Sequence, residues 1–575
     1  MNEKIRITNK TMELADCKDA WFFDEKHRCW CLEDILYTDK ASTPKFQRLS
    51  VYVPEAYMEP GGKINHEGRM NGYDGKTAPV IFENNSAGYM QMPHKWLDGP
   101  RCNGEQYLER GYVYVTCGNR GHESRDGEGK LCGKAPANLV DLKTAIRFIR
   151  HNRTCIPGNL DRIVSVGVSA GGAMSALLAV TADHRDYDSY LEENGAFMEE
   201  SDGVYASQIY CPIIDLEHAD LAYEWLFHED KENEASHAGP AGVMTPFQDA
   251  LSGELKEAYI TYFNSLNLRN PENGERLVIA PEGRSGSGYD YLMELLNESA
   301  AVYLKKLAAG KLPVDYSVDD YLTGRYTYKV PAPRGGRADL KEPDEADLMQ
   351  GHAGPGVVLQ RPDRTCKEEE PLSLGDMVAR TYDETGRQPD KPSMVDVQGK
   401  DKSGWLTWDG CRAQIKDLDA YVRNHRRRMK PCTSFDVLAK NSGENKVLGT
   451  PENPGIHFNG QIGDAIAALR ERFPEEYAKY YEEYEAVKAD AALAERLRLF
   501  NPFSYIGEEP GEGRAAYCRI RVGANDADTA FTVSMALALK LAEWGIPTDY
   551  RLVWEQPHCD ADYEGELADW IDGIV

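Results

Sequence analysis

The stretch RIVSVGVSAGGAMSALLAV at residues 162–180 decides how the rest of the sequence is interpreted. RIVSV is rich in β-branched residues and predicts a strand, and GAMSALLAV predicts an apolar helix. Between them, GVSAGG at 167–172 has the Gly-x-Ser-x-Gly spacing of a nucleophile elbow, in which glycines allow the tight turn that exposes a serine hydroxyl. We therefore interpret Ser169 as a nucleophile; the alternative is a glycine-rich turn with a passive serine.

Segments on both sides of this stretch alternate between strand and helix patterns. Strands are predicted at 48–54, 79–84, 112–118, 516–523 and 548–555, and helices at 135–150, 529–545 and 562–573. Such alternation implies βαβ units and a mostly parallel sheet. Together with the elbow, it predicts an α/β-hydrolase fold built from both ends of the chain.

The middle of the chain has a different composition. Residues 331–400 are dense in proline, glycine and charge, which predicts long loops, and helical patterns surround them at 411–428 and 474–500. We predict a catalytic core at 1–224 and 501–575, with residues 225–500 forming a large inserted lid domain.

Composition restricts the partners of the protein. A formal net charge of −28 disfavours nucleic acid and anionic membrane surfaces, which leaves small-molecule substrates. No apolar run is long enough to span a bilayer, and residues 1–20 lack the apolar segment of a signal peptide, so we expect a cytoplasmic protein. The thirteen cysteines include no Cys-x-x-Cys pair, and we expect no metal and no cofactor.

A serine nucleophile needs a base and an acid, which in this fold follow it in the order acid, then histidine. His558, in WEQPHCDAD at 554–562, follows the last predicted strand and is our choice of base. The acid is one of the aspartates in GANDADT at 523–529, either of which is also a candidate helix N-cap. Asp526 is nearer the strand end, so we assign it to orient His558 and leave Asp528 for the substrate.

An oxyanion hole in this fold combines the N–H after the nucleophile with one from an early loop. The first is that of Ala170, and the second is sought in NNSAGY at 84–89, where Gly88 permits a close backbone approach. An ordinary turn is the competing interpretation of that loop.

Taken together, these motifs resemble bacterial tannases (tannin acyl hydrolases). The resemblance is carried by GYVYVTCGNRG, GKAPANLVDLKTAIRFIR, GVSAGGAMSALL, CPIIDLEHADLAYEW, RIRVGANDADT and PHCDADYEGELADWI. It implies that the lid contributes a clamp for a trihydroxyphenyl ring, whose roles fall on Lys430, Glu444 and Asp528. Adjacent ring hydroxyls donate hydrogen bonds to carboxylates and accept them from an ammonium group.

The resemblance predicts a serine esterase that hydrolyses galloyl esters through an acyl-enzyme intermediate. Two alternatives remain open: a feruloyl- or chlorogenate-type aryl esterase, and a catalytically inactive hydrolase fold used as a binding module. For the clamp, Lys430 could instead belong to a solvated basic face with residues 423–428, and Glu444 could cap a turn.

Overall fold

The computed structural model describes residues 20–99, 102–233, 242–331, 394–507 and 514–575. The strands are β1 (Phe22–Asp24), β2 (Cys29–Leu36), β3 (Arg48–Pro54), β4 (Met58–Glu59), β5 (Lys63–Ile64), β6 (Arg69–Met70), β7 (Tyr73–Asp74), β8 (Pro79–Asn84), β9 (Val113–Cys117), β10 (Asn159–Val168), β11 (Ala206–Tyr210), β12 (Glu232–Asn233), β13 (Gly242–Val243), β14 (Thr327–Pro331), β15 (Met394–Gln398), β16 (Leu406–Trp408), β17 (Ala413–Ile415), β18 (Tyr517–Gly523) and β19 (Thr548–Val553).

The helices are α1 (Gly104–Glu109), α2 (Ala137–His151), α3 (Ala170–Val180), α4 (Asp188–Glu193), α5 (Leu216–Phe227), α6 (Pro246–Ser265), α7 (Ser287–Ala308), α8 (Val318–Thr323), α9 (Leu418–Asn424), α10 (Gly443–Val447), α11 (Gly460–Ala468), α12 (Pro474–Ala489), α13 (Ala491–Leu499), α14 (Phe531–Glu543) and α15 (Glu566–Ile574). None of the helices in the described ranges is long and apolar enough to cross a membrane.

A nine-stranded sheet forms the centre of the molecule, in the order β1-β2-β3-β9-β8-β10-β11-β18-β19. The six strands from β9 to β19 in this order are parallel, and β1, β2 and β3 pair antiparallel at one side. Parallel strands are connected by crossovers, and the buried helices α2, α3 and α14 flank the sheet. This architecture confirms the predicted α/β-hydrolase fold.

Each core strand and helix predicted from the sequence is present, with ends that differ by a few residues. The sequence did not predict β1, β2 or β11. In β2 the pairing register shifts between Leu32 and Ile35, and Asp34 has a positive φ of 62°. This irregularity interrupts the alternation of apolar and polar residues that identifies a strand.

Two expectations about the middle of the chain were wrong, and a third was confirmed with a break. Residues 411–428 contain the strand β17 before the short helix α9, which begins after the N-cap Asp417. The predicted helical stretch at 474–500 is present as two helices, separated at Asp490, which caps α13. β14 pairs with β15, so residues 331 and 394–398 are strand and not loop; residues 332–393 lie outside the described residues.

The described strands between β11 and β18 pair only with each other and not with the central sheet. Helices of this region nevertheless share one hydrophobic core with the sheet, through residues such as Phe263, Leu304 and Tyr421. The division into a core at 1–224 and 501–575 and a lid at 225–500 stays a proposal, which this separation of the strands supports.

Candidate active site

Ser169 occupies the sharp turn between β10 and α3. Its φ of 64° and ψ of −124° fall in a region that residues other than glycine rarely adopt. The turn needs its glycines: a Cβ on Gly167 would lie 2.1 Å from the Gly171 oxygen, and one on Gly172 would lie 2.4 Å from the Tyr210 oxygen. Within the described structure the buried Oγ of Ser169 has no hydrogen-bond partner. The hydroxyl is therefore available to a base or a substrate.

His558 and Asp526 form a buried pair on neighbouring loops. Asp526 follows β18 and His558 follows β19, and the two strands are adjacent in the sheet. His558 Nδ1 lies 2.9 Å from Asp526 Oδ2, and the Nε2 atom is buried without a hydrogen-bond partner in the described ranges. Burial disfavours the charged imidazolium, but the charges of Asp526 and Asp528 outweigh it and raise the pKa of His558.

The backbone fixes the spacing of these two loops. The Ala524 N–H donates to the Val553 carbonyl at 2.8 Å, and the Asn525 N–H donates to the Gln556 carbonyl at 2.9 Å. Because the loops are bonded to each other immediately before Asp526 and His558, the acid and the imidazole are held in register.

Asp528 and Lys430 meet beside this pair, although the sequence separates them widely. Lys430 Nζ lies 3.9 Å from Asp528 Oδ1, and both side chains are 5% exposed. The ammonium group also lies 4.1 Å from the ring centroid of Phe435. The Asp528 N–H donates to Asp526 Oδ1 at 2.8 Å, so the aspartate predicted to bind the substrate and the predicted triad acid share one loop.

Glu444 lies in α10, which is seated on the turn that contains Gly88. Gly88 has a left-handed conformation (φ 58°), and a Cβ on Gly443 would lie 2.7 Å from its carbonyl oxygen. Glu444 is 3% exposed. Burial raises the pKa of Tyr89, and the nearby charge of Glu444 adds to this effect. Glu444 is thus placed against the predicted oxyanion loop.

A hydrogen bond links the helix that carries Glu444 to the aromatic residue beside Lys430. Ser442, the N-cap of α10, donates a hydrogen bond from its Oγ to the Phe435 carbonyl at 2.7 Å. The ammonium group of Lys430 lies over the ring of Phe435. The structure therefore brings the predicted clamp residues to the same region as the predicted triad. Ala170 begins α3 directly after Ser169.

The structure does not support the alternative roles of these residues. Lys430 is 4% exposed, so it does not belong to a solvated face, and Arg428 nearby is buried and donates to Glu224. The turn before α10 is capped by Ser442 and not by Glu444. The expectation that Asp526 or Asp528 caps the following helix was wrong, because the N-cap of α14 is Ala530.

Cys211, which the sequence analysis did not single out, lies next to the predicted acid and base. Its Sγ, a carboxylate oxygen of Asp526 and a ring nitrogen of His558 lie within 4.8 Å of one another, the one such cluster in the described residues with the composition of a metal site. Burial raises the pKa of the Cys211 thiol, which donates to the Cys559 carbonyl at 3.3 Å. A protonated, hydrogen-bonded thiol fits a packing role beside the pair.

A second Ser-His-Asp arrangement occurs at β3, which two strands of the sheet separate from the elbow strand β10. Ser50 Oγ lies 3.1 Å from His94 Nδ1, and His94 Nε2 lies 3.3 Å from Asp34 Oδ1. Ser50 is completely buried on β3, and its Oγ accepts the Asp34 N–H at 3.1 Å. A hydroxyl that is inaccessible and already hydrogen-bonded has a structural role, and this serine provides a control for Ser169.

Comparison with known proteins defines the class of this protein. Residues 77–236 match the family model BD-FAE, and no curated protein sequence matches the chain. Together with the fold, these findings and the solved structures below show a carboxylic ester hydrolase of the α/β-hydrolase class.

Its structural neighbours are bacterial tannases, which confirms the resemblance seen in the sequence. The tannin acyl hydrolase of Lactobacillus plantarum is 28% identical with a TM-score of 0.68, over 95% of this chain and 94% of that chain. The Fusobacterium nucleatum tannase is 25% identical with a TM-score of 0.68, over 95% of each chain. A tannin acyl hydrolase in complex with ethyl gallate is 28% identical with the same TM-score, over 95% of this chain and 94% of that chain.

Proposed function

We infer that the protein is a serine esterase that hydrolyses galloyl esters. The observation that carries this inference is the contact of Lys430 with Asp528 on the loop that also holds Asp526. An ammonium group and a carboxylate that lie beside the proposed triad acid suit a ring with adjacent hydroxyls, which supplies both donors and acceptors. The similarity to a tannin acyl hydrolase that binds ethyl gallate supports the same substrate class.

In the proposed mechanism His558 accepts the proton of Ser169 through Nε2, and the Oγ attacks the ester carbonyl. The N–H groups of Ala170 and Gly88 donate to the resulting oxyanion. The protonated His558, stabilised by Asp526, then gives its proton to the departing alcohol. Water attacks the galloyl-enzyme with His558 again as base, which releases gallate and restores Ser169.

Three esters test the proposed function. We expect efficient hydrolysis of methyl gallate, weaker hydrolysis of methyl ferulate, and turnover of p-nitrophenyl acetate, which needs the triad but not the clamp. Intact-protein mass spectrometry of methyl gallate reactions quenched before the steady state should show a galloyl adduct on Ser169. A preference for methyl ferulate would instead support the feruloyl esterase alternative, and failure to react with a fluorophosphonate probe would contradict the serine mechanism.

Removal of the clamp should reduce the preference for hydroxylated rings. Glu444→Ala and Lys430→Ala leave ring hydroxyls unpaired at about 1–3 kcal/mol each, so kcat/KM for methyl gallate should fall about 10-fold or more. Methyl benzoate, which lacks the hydroxyls, should change little. Lys440→Ala is the control, since this lysine of the same segment pairs with Glu483 at the surface. Equal losses on both esters would show that no clamp exists.

The pH dependence should reflect the raised pKa of His558. Only the neutral imidazole accepts a proton, so kcat/KM for p-nitrophenyl acetate should fall as pH is lowered through a midpoint above the ordinary value of 6.5. The charge of Asp528 contributes to that raised pKa. In Asp528→Asn the midpoint should therefore move to lower pH, and an unchanged midpoint would contradict the electrostatic assignment.

A further inference from the structure

One hydroxyl group lies between the segment that carries Lys430 and the loop that carries the aspartates. Tyr223, in α5, is completely buried. Its Oη accepts the N–H of Met429 at 3.2 Å and that of Lys430 at 3.0 Å. The same hydroxyl donates to the carbonyl oxygen of Ala527 at 2.9 Å. Ala527 is the residue between Asp526 and Asp528.

These bonds join parts of the chain that are remote in sequence. Tyr223 precedes Lys430 by 207 residues and Ala527 by 304 residues. On one side the hydroxyl fixes the backbone from which the Lys430 side chain starts. On the other side it fixes the peptide that carries Asp528. The Tyr223 Oη therefore holds both backbone segments, and through them the distance between the Lys430 ammonium and the Asp528 carboxylate.

Other side chains of α5 bond to residues 428–435, the segment that carries Lys430. Asp220 lies about one turn before Tyr223 and Glu224 directly follows it, and both bond to this segment. Asp220 Oδ1 accepts the N–H groups of Ser434 and Phe435 at 2.7 and 2.9 Å. Glu224 pairs with Arg428. Of these three α5 side chains, Tyr223 alone also bonds to the 526–528 loop in the described structure.

We propose that Tyr223 is a positioning residue that sets the spacing of Lys430 and Asp528, and thereby the specificity of the enzyme for hydroxylated rings. This inference rests on the proposed function of the clamp. Tyr223 acts through Lys430 and the aspartate loop and makes no contact with the substrate. The ring stays packed against Phe227 and Phe435 when the hydroxyl is removed, whereas its three hydrogen bonds to the backbone are lost.

Tyr223→Phe separates this role from general stability. We expect kcat/KM for methyl gallate to fall about 10-fold, mainly through a higher KM, because the clamp is displaced. Turnover of p-nitrophenyl acetate should stay within about 2-fold, since the Asp526–His558 pair is retained. Tyr57→Phe is the matched control: Tyr57 is also completely buried, and its hydroxyl donates to the Gly111 carbonyl at 2.7 Å, before β9. It should leave the ratio of the two activities unchanged.

A double-mutant cycle tests whether Tyr223 acts through Lys430. With Lys430→Ala already present, Tyr223→Phe should lower methyl gallate hydrolysis by less than about 2-fold, because the group being positioned is gone. The same loss in both backgrounds, or an equal loss of both activities in Tyr223→Phe, would overturn the proposal. If Lys430→Ala alone leaves the gallate preference intact, the proposed clamp fails; if it removes the preference and Tyr223→Phe does not, only the positioning role fails.

Discussion

Replacing Ser169 with alanine is expected to lower the hydrolysis of every ester by at least about 10⁴-fold, since no other group attacks the carbonyl. The variant should remain folded, because the Oγ has no hydrogen bond to lose within the described structure. The measurement is kcat with methyl gallate and p-nitrophenyl acetate, alongside the thermal unfolding midpoint.

Ser50→Ala is the control for this experiment. It removes a buried serine hydroxyl that also contacts a histidine, but this serine lies on β3 away from the elbow. We expect most of the activity to remain in Ser50→Ala. If Ser169→Ala kept a tenth of the wild-type turnover, Ser169 would not be the nucleophile.

Asp526→Asn is expected to lower the turnover of all esters by about 10³- to 10⁴-fold, because an amide neither orients nor stabilises the protonated histidine as a carboxylate does. Asp526 is completely buried and accepts hydrogen bonds from His558 and from the Asp528 N–H. The loss should therefore be as large with p-nitrophenyl acetate as with methyl gallate, which identifies a residue of the triad.

Asp528→Asn provides the contrast two residues away. Its carboxylate faces Lys430, so its replacement should weaken methyl gallate hydrolysis far more than hydrolysis of p-nitrophenyl acetate. Both variants differ from the wild type by a single charge in the same loop. An interchange of the two phenotypes would mean that Asp528 is the acid and Asp526 the ring ligand.

Local patterns in the sequence were sufficient for most of the core. The strand that ends at Val168, the helix that begins at Ala170 and the two glycines flanking Ser169 are all encoded within a few residues. The position of His558 after the last strand also followed from chain order. Predictions failed where a tertiary contact replaced the local pattern, as at residues 413–415, which pair with β16 although the stretch predicted a helix.

The sequence by itself predicted most strands and helices of the core, the elbow at Ser169 and the loops that hold Asp526 and His558, because hydrophobic periodicity and glycine spacing are local properties. It suggested Lys430 and Glu444 only through resemblance to a family. The tertiary structure decided that Lys430 faces Asp528 and that a hydroxyl of α5 bonds to both of their segments. Periodicity specifies which face of an element is buried but not which distant residue it meets, and that choice is made when the core packs.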